Sequence, residues 1–462
     1  MFRAETYIQR RKLLRKSVGS GLLIFLANEE SPINYAANTF HYRQDSSFLY
    51  FFGLSSPGLA AIADADEGTD TLYGDDIGIE DIIWMGNLPT IKARALEVGV
   101  RRTAPRAAFE EAVRRALAAG RPVHYLPPYR PDNMFVLGDL LGIPVKELKA
   151  RASAAFIKAS VDQRIIKSRE EIREMESAVA VSREMYLSAM TLAKLGRYEY
   201  QVSGLMEGIA LSYNMHLAFP PIVTINGQTL HMHAHDNMLV KGRLLVLDCG
   251  AEAASGYASD ITRTVPVGGR FNARQKAVYE IVLAGQESAI KAIKPGVSFR
   301  DIHLQTARVM AGGLKALGLM KGDVAEAVAA GAHALFFPHG LGHNIGLDVH
   351  DMEDYGENHV GYGEKAERSK QFGLAYLRMA RELKPGHVLT VEPGLYFIPA
   401  LFALWRKEKK HRDFIVYDAV EKFLDFGGAR IEDDVLVTEK GRKILGPAIP
   451  KTVADIEKAC RA

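Results

Sequence analysis

The sequence is poor in cysteine, in net charge and in long apolar runs, and each shortage excludes a class of protein. Its 462 residues include two cysteines, Cys249 and Cys460, too few for a disulfide scaffold and consistent with a reducing compartment. The 58 lysines and arginines nearly balance the 55 aspartates and glutamates, which argues against a nucleic-acid or membrane-surface binder. No apolar run approaches the ~18 residues of a membrane span. We therefore expect a cytoplasmic globular protein with neither nucleic acid nor membrane as a partner.

The length predicts two domains, and a change of pattern places the boundary between residues 162 and 163. In residues 1–162, runs that read as strands (GLLIFLAN, LAAIADA and DIIWMG) alternate with helical segments such as 104–119. This alternation predicts an α/β N-terminal domain. Residues 163–462 begin with helical spacing over 170–195 and hold most of the clustered histidines and acids. We expect further helices at 270–293, 301–317, 321–334 and 452–460.

An aspartate pair is the first candidate for chemistry. Asp248 lies in the apolar run LLVLDCGAE, Asp260 lies in YASDITRTVPV, and a turn at 253–256 separates them. Antiparallel pairing of the two runs can bring both carboxylates onto one face, where like charges repel unless a cation or a proton lies between them. At this point a structural role stays open, with Asp248 ending the strand and Asp260 solvated.

Histidines form two further candidates. His339, His343 and His350 lie in HGLGHNIGLDVH, where the glycines disfavour a helix and predict a tight loop or strand. Neutral imidazole is a common metal ligand and a general acid or base. In His231-Met-His233-Ala-His235, alternation in a strand would place the three rings on one side. Either a metal site or one functional histidine with two bystanders explains that second group.

Two glutamates complete the set. Glu392 lies in LTVEPGLY and Glu432 in ARIEDDVLV, and a glutamate within an apolar strand is costly to bury unless it is paired or metal-bound. Solvated glutamates on an edge strand are the alternative. The second pair of acid-bearing strands repeats the first and suggests a pseudo-twofold site. Two aspartates, one histidine and two glutamates together suit a pair of divalent ions, which can hold a hydroxide nucleophile between them.

The motifs HGLGHNIGLDVHD, LKPGHVLTVEPGLYF and GGARIEDDVLVT resemble the "pita-bread" (M24-type) metallopeptidases of the aminopeptidase P and prolidase branch. FHYRQDSSFLYFFGLSSPG is similar to the N-terminal domain of that branch, so the likeness spans nearly the whole chain. The resemblance implies an α/β N-terminal domain followed by an α+β pita-bread domain, also described as creatinase/aminopeptidase-like. It further implies two divalent ions per subunit, Mn²⁺ first and Zn²⁺ or Co²⁺ as alternatives.

The resemblance also implies roles for individual residues. Asp248 would ligate one metal, Asp260 and Glu432 would bridge both, and His343 and Glu392 would hold the second. Glu392 would also shuttle the proton that activates the bridging water. The remaining matched positions are His231, His339 and His350, which would contact substrate or stabilise the tetrahedral intermediate, and Arg430, which would support the ligands. One departure exists, because the family usually has one residue fewer between the two aspartates; we expect the extra residue in the 253–256 turn.

The implied activity is metal-dependent hydrolysis of Xaa-Pro bonds at the N-terminus of dipeptides or short proline-containing peptides. Within the branch, the long segment before Glu432 and the closing IPKTVADIEKA resemble prolidases. Arg378 falls where those enzymes bind the dipeptide carboxylate, although a surface helix position is the alternative. An aminopeptidase for longer peptides remains the second reading. A metal-free creatinase-like hydrolase and a non-enzymatic peptide-binding relative are less favoured, because both lose ligands that are intact here. Relatives in the branch predict a homodimer or homotetramer.

Overall fold

A computed structural model of the chain describes residues 2–363 and 366–461, which group into two compact units. The N-terminal unit comprises Met1–Arg164 with Met352–His359, and the C-terminal unit comprises Ile165–Asp351 with Val360–Ala462. The sequence prediction had one boundary, between residues 162 and 163. The grouping of 352–359 with the first unit follows from contacts distant in sequence, which composition does not show.

The N-terminal unit alternates helices with short strands. Its sheet has the order β6-β5-β4-β1-β7, with β1 antiparallel to β4 and parallel to β7. Buried residues of β1 and β4 pack with Phe109 and Val113 from one helix and Leu137 from another. The elements are α1 (Ala4–Val18), β1 (Leu22–Leu26), β2 (Pro32–Tyr35), β3 (Asn38–Thr39), α2 (Ser46–Phe52), β4 (Ala60–Asp64), β5 (Thr69–Tyr73), α3 (Ile79–Met85), α4 (Ile91–Glu97), β6 (Arg102–Ala104), α5 (Ala108–Ala118), β7 (Val123–His124), α6 (Pro131–Leu141), α7 (Leu148–Arg151) and α8 (Ala154–Arg164).

The segment DIIWMG is not the strand that its sequence predicts. It belongs to the helix α3, which begins where the Asp81 carboxylate accepts the Gly78 N–H at 2.9 Å and ends at Gly86, whose φ is +80°. A short apolar run has no periodicity that separates strand from helix, so the prediction was wrong. The helix buries none of its residues, and Trp84 is 86% exposed.

The C-terminal unit combines long helices with antiparallel hairpins. The helix α9 starts with a reciprocal cap in which Ser168 and Glu171 each bond the backbone of the other. The elements are α9 (Arg169–Leu192), α10 (Glu199–Ser212), β8 (His216–Leu217), β9 (Ile222–Thr224), β10 (Leu244–Cys249), β11 (Ala251–Glu252), β12 (Ile261–Pro266), α11 (Ala273–Ala292), α12 (Phe299–Ala316), α13 (Val324–Ala330), β13 (Val388–Val391), β14 (Gly394–Tyr396), α14 (Pro399–Lys407), α15 (Tyr417–Glu421), β15 (Gly428–Arg430), β16 (Asp433–Thr438), β17 (Gly441–Ile444) and α16 (Val453–Ala459).

The hairpins of this unit are covered by helices on one side. Val278 and Val282 of α11 and Met310 and Leu314 of α12 belong to one buried cluster with Leu389 of β13. That apolar layer fixes the strands whose opposite faces carry the acids. Within residues 2–363 and 366–461, no helix has both the length and the apolar character needed to cross a membrane.

Candidate metal centre

The acids lie in a row that crosses four neighbouring antiparallel segments. Asp248 of β10 faces Thr262 of β12, and Thr262 pairs in turn with Glu432, whose N–H donates to the Thr262 carbonyl at 3.0 Å. The pairs on either side, Val391 with Asp433 and Gly394 with Arg430, place Glu392 opposite Glu432 in the same register. Directly opposed residues point to one face of a sheet, so Asp248, Thr262, Glu432 and Glu392 share a face.

Asp260 and His343 join this face by the same rule. Asp260 lies two residues before Thr262, and side chains two residues apart along a strand point the same way. The His343 carbonyl accepts the N–H of Thr390, two residues before Glu392. Asp260, His343 and Glu432 offer ligand atoms that all lie within 4.8 Å of one another. His343 Nε2 is 3.4 Å from an Asp260 oxygen and 3.5 Å from a Glu392 oxygen.

Two glycines allow the close backbone approach that the row requires. A Cβ at Gly342 would lie 2.0 Å from the Thr390 carbonyl oxygen, and a Cβ at Gly250 would lie 1.7 Å from that of Ser259. Any side chain at either position would push apart the strands that carry the ligands. The HGLGH motif is therefore the strand-like tight segment that its glycines predict.

The first hairpin keeps one register from end to end. Pairing runs from Leu244 opposite Pro266 through Cys249 opposite Ile261, and it continues to Ala253, whose N–H donates to the Tyr257 carbonyl at 2.9 Å. The tip contains Gly256 at φ +88°. Because no bulge interrupts the pairing, the two aspartates stay on one face of the hairpin.

Burial and mutual repulsion hold the acids of the row in an unusual state. Burial, and then the charges of Glu432 and Asp248, raise the pKa of Asp260 well above its ordinary value. Burial raises the pKa of Glu392 to about 7, and burial with the Glu392 charge raises the pKa of Glu432. Asp260 Oδ1 is buried without a hydrogen-bond partner among the described residues. A divalent cation satisfies all of these conditions, since it supplies both the missing charge and the missing partner.

His343 has the tautomer of a metal ligand. Its Nδ1 lies 3.0 Å from the Asn344 carbonyl, which can only accept, so Nδ1 carries the proton and Nε2 keeps its lone pair toward the acids. Burial, and then the neighbouring His350, lower the pKa of His343 well below its ordinary value. The ring is therefore neutral, as metal binding requires.

A hydrogen-bond chain extends from Asp248 to His339. Arg430 donates to Asp248, to the Thr262 hydroxyl at 3.1 Å and to the Tyr396 hydroxyl at 2.7 Å. His339 Nε2 lies 2.9 Å from the same Tyr396 oxygen, and its Nδ1 lies 2.8 Å from the Gly340 carbonyl. Because Nδ1 donates to that carbonyl, the Tyr396 O–H donates to Nε2. Burial, and then the Arg430 charge, lower the pKa of His339 to about 3, so the ring is neutral.

Sequence reasoning missed Tyr396, Thr262 and Asp434 in this neighbourhood. The Thr262 hydroxyl donates to Glu432 at 2.6 Å, and the Asp434 carboxylate accepts the Asp260 N–H at 3.0 Å. Tyr396 follows Glu392 in the EPGLY motif, and its position two residues after Gly394 in a strand was the available signal. Thr262 and Asp434 could have been found only from the register between the two hairpins.

The other predicted residues lie around this centre at different distances. The rings of His350 and His343 are 4.3 Å apart between centroids. Burial, and then the charge of Arg430, lower the pKa of His231, and the charges of Arg378 and His350 contribute in the same direction. The charge of Arg378 also lowers the pKa of Glu392. The side chains of His231, His350, Arg378 and Arg430 therefore lie within electrostatic reach of the carboxylate row.

The alternating histidines at 231–235 do not form a strand. That segment is irregular, and His235 bonds the Pro221 carbonyl at 3.0 Å, which anchors the loop. The alternation therefore does not place the three rings on one side. His231 is within electrostatic reach of Asp248 and Arg430.

Comparison with known proteins gives matches for both units. The model of metallopeptidase family M24 matches residues 173–439, and that of the aminopeptidase P N-terminal domain matches residues 7–124. The Xaa-Pro dipeptidase of Homo sapiens is 32% identical, over 97% of this chain and 91% of its own length. The Xaa-Pro aminopeptidase of Escherichia coli (strain K12) is 30% identical, over 98% and 97%. A solved structure of aminopeptidase P from E. coli with the inhibitor Pro-Leu superposes with a TM-score of 0.80 at 28% identity, over 99% and 98% of the two chains.

Proposed function

The chain belongs to metallopeptidase family M24, and we propose that it hydrolyses the bond between an N-terminal residue and proline in dipeptides or short peptides. The expected fold class, an α/β N-terminal domain with a pita-bread catalytic domain, is confirmed by both family matches and by solved relatives with TM-scores of about 0.8. The observation that carries the activity is the single face shared by Asp248, Asp260, His343, Glu392 and Glu432. The Xaa-Pro specificity rests on what the relatives are named for.

The five side chains fit two divalent ions; Asp248 would hold one ion, His343 and Glu392 would hold the other, and Asp260 and Glu432 would contribute to both. Carboxylates and one neutral imidazole are the donors that Mn²⁺ accepts, and Zn²⁺ or Co²⁺ suit the same set. Ions held there would polarise the scissile carbonyl and lower the pKa of water. Arg430 fixes the Asp248 carboxylate, and Thr262 fixes that of Glu432.

Glu392 is the group that moves a proton. Its carboxylate lies on the face shared by the other candidate ligands, where it would take a proton from the attacking water and release it later in the reaction. The water oxygen adds to the carbonyl carbon, the carbon–nitrogen bond breaks, and the proton passes from Glu392 to the proline nitrogen. His231, His339 and His350 lie around this centre to orient the substrate and to stabilise the oxyanion that forms.

The proline side of the bond must be recognised by shape, because its nitrogen carries no N–H in the substrate. Phe336 and Phe337 are buried, and the Phe337 ring lies 5.0 Å from that of His339. Phe337 therefore supports the ring of His339, and we assign the ring-recognising wall to this aromatic group. Phe219 is a further apolar candidate for the same wall and is half-buried.

Among substrates of different length we favour dipeptides, in which the carboxylate of the C-terminal proline would bind Arg378. Gly361 makes room for this segment, since a Cβ there would lie 1.7 Å from the Arg378 carbonyl oxygen. The Arg378 charge affects the pKa of Glu392, His343 and His339, as a carboxylate anchor beside the reacting bond would. A guanidinium forms the fork of donors that suits a carboxylate. Relatives carry both names, and the position of Arg378 is what supports the dipeptide choice.

The test is hydrolysis of Ala-Pro and of Ala-Pro-Ala with and without Mn²⁺. Both should be cleaved only with metal, Ala-Pro the faster, and Glu432→Ala and His343→Ala should each abolish the activity. Arg378→Met should raise KM for Ala-Pro far more than for Ala-Pro-Ala. If the metal-loaded protein cleaves neither peptide, the proposal fails. Activity that survives a chelator indicates the metal-free creatinase-like alternative, and binding without turnover indicates the peptide-binding one.

We also propose assembly as a homodimer or homotetramer in a cytoplasmic, reducing compartment. The exposed apolar side chains of α3 and the following loop support assembly; they are Ile79, Ile83, Trp84, Met85 and Leu88. Both cysteines are buried free thiols, which supports the compartment. Light scattering of the parent and of Trp84→Glu should show a lower mass for the variant, and an unchanged mass would remove α3 from the interface.

A further inference from the structure

Asp351, the last residue of the HGLGHNIGLDVHD motif, forms an ion pair with Lys167, which is remote in sequence from the motifs of the metal centre. Lys167 Nζ lies 2.8 Å from Asp351 Oδ2, and each side chain is only 1% exposed. Asp351 directly follows His350, while Lys167 precedes the first helix of the C-terminal unit. We propose that Lys167 is a positioning residue that, through Asp351, holds His343 and His350 in place for metal and substrate. This inference rests on the proposed function.

Asp351 connects the two histidines through the backbone. Its N–H donates to the Asn344 carbonyl at 3.0 Å, and the same oxygen accepts the Nδ1 proton of His343. Its Oδ1 lies 3.4 Å from the Asp348 N–H, within the loop that ends at His350. A shift of Asp351 therefore changes the acceptor that sets the His343 tautomer and the loop that carries His350.

Lys167 supplies a fixed point for this loop. Its N–H donates to the Gly386 carbonyl at 2.8 Å, and the Gly386 N–H donates to the Val437 carbonyl of β16 at 2.9 Å. Gly386 has φ +89°, and a Cβ there would lie 2.7 Å from Ile166. The lysine backbone is thus tied to the sheet that carries the ligands.

The loop closes over the ion pair at Gly346. A Cβ at this position would lie 2.6 Å from Asp351 Oδ2 and 2.9 Å from Lys167 Cε. The Gly346 carbonyl accepts the Ala258 N–H at 2.8 Å, close to Asp260 in the hairpin. The pair consequently contacts a loop that is bonded both to His343 and to the hairpin of the two aspartates.

Stability alone does not account for this pair. Removing two charges from water costs most of what their attraction returns, and apolar replacements of buried pairs are often neutral or stabilising. What the charges add is direction, because the ammonium and the carboxylate fix each other's position as apolar side chains do not. We therefore expect loss of the pair to affect metal binding and turnover more than it affects folding.

The test compares Lys167→Met with the matched control Lys451→Met. Lys451 forms a Lys–Asp pair of similar length, 2.7 Å to Asp433 Oδ2, and Asp433 keeps Arg263 as a second partner when Lys451 is replaced. Calorimetric titration of each metal-free protein with Mn²⁺ should show affinity lowered about 10- to 100-fold for Lys167→Met and less than about twofold for the control. With Ala-Pro at saturating Mn²⁺, kcat should fall about tenfold or more for Lys167→Met, measured where circular dichroism shows both variants folded.

The double variant Lys167→Met/Asp351→Leu separates positioning from folding. Removal of both charges should restore thermal stability without restoring Mn²⁺ affinity or kcat. Recovery of affinity together with stability would overturn the proposal, as would parent-like affinity in Lys167→Met. Should Lys167→Met fail to fold, Asp351→Asn keeps an acceptor for the lysine and should still weaken Mn²⁺ binding. The Mn²⁺ titration needs no substrate, so it decides this proposal even if neither peptide is cleaved.

Discussion

The acidic run Glu432-Asp433-Asp434 presents two faces of one backbone segment to opposite environments. On the rear face, Asp433 lies 2.6 Å from Arg263 and 2.7 Å from Lys451, and it accepts Gln286 Nε2 at 2.9 Å. On the ligand face, Glu432 and Asp434 point toward Asp260 and the other acids of the row. Asp434 Oδ1 has no hydrogen-bond partner among the described residues.

The two faces differ in how their negative charge is balanced. Although burial raises the pKa of Asp433, the charges of Arg263 and Lys451 outweigh it and lower that pKa below its ordinary value. Burial raises the pKa of Glu432 and of Asp434 well above theirs. The rear face carries its own cations and is therefore structural. The ligand face has more carboxylates than the guanidinium of Arg430 beside Asp248 can balance, which is the condition for binding a metal.

The largest effect that separates the faces is expected for Glu432→Gln. The amide keeps the shape of the side chain but removes one carboxylate of the proposed metal centre, so activity on Ala-Pro should fall on the order of 1,000-fold. The metal-free variant should unfold at a temperature no lower than the parent, because one of the repelling charges is gone. A variant that loses stability in step with activity would contradict the distinction between the two faces.

Asp433→Asn should have the opposite profile. It leaves Arg263, which is fully buried, without its charged partner, at a cost of about 3–5 kcal/mol in the free energy of unfolding. Urea unfolding of the metal-free protein measures this loss. The folded fraction should still bind Mn²⁺ nearly as the parent does, and a stability close to that of the parent would show that the rear-face network is not structural.

The faces should also respond oppositely to pH. Because the pKa of Glu392 is about 7 when folded and 4.5 in its ordinary state, the folded protein holds a proton that the unfolded chain releases between those values. Stability of the metal-free protein should therefore fall as pH rises from 4.5 to about 7, by at most about 1.4 kcal/mol per pH unit from this group. Bound Mn²⁺ should remove that slope, and so should Glu392→Gln.

The contribution of Asp433 to stability changes with pH in the opposite direction. Its lowered pKa contributes stability that is present above the ordinary value of 3.8 and is lost as pH falls through the folded pKa. Urea unfolding of the metal-free parent across this range measures both slopes. If stability rises between pH 4.5 and 7 in the parent but not in Glu392→Gln, the ligand face is not repulsive as described.

The smallest effect is expected for the Thr262 hydroxyl, which is the uncharged hydrogen-bond donor within the row. Thr262→Val removes the hydroxyl that donates to Glu432 at 2.6 Å and keeps the side-chain shape, so Mn²⁺ affinity should fall about tenfold. Thr264→Val is the matched control, because the Thr264 hydroxyl bonds the backbone of Arg430 instead of a ligand. Equal effects of the two substitutions would mean that the strand, and not the hydroxyl, sets the affinity.

The four acids and one histidine of the candidate site could be predicted because each is an expensive residue in an apolar strand or a glycine-bounded motif. Glu392 and Glu432 show this most clearly, since their burial is costly without a cation. Arg169–Leu192 was predictable for a related reason, namely its length and its helical spacing. Local patterns carry this information, so sequence alone was enough.

Features that depend on pairing between distant segments could not be predicted in this way. Thr262 matters because it lies between Asp248 and Glu432, and Lys167 matters because it meets Asp351; both relations join segments more than 160 residues apart. The strand prediction for DIIWMG was wrong for the opposite reason, because a short exposed segment has too little pattern to separate a strand from a helix. Sequence thus selected the candidate residues for the chemistry, and the register between the strands showed which residues support them.

The rear-face arginine also has a consequence for biosynthesis. Arg263 donates from one nitrogen to the carbonyls of Thr262 and Glu432, and its other nitrogens reach the carbonyls of Ile449 and Pro450. The hydrogen bonds of Arg263 that connect the two hairpins are therefore complete only when residues 449 and 450 have left the ribosome. A nascent chain shorter than this lacks the two hydrogen bonds from Arg263 to residues 449 and 450, so the proposed metal centre should gain its full support only late in synthesis.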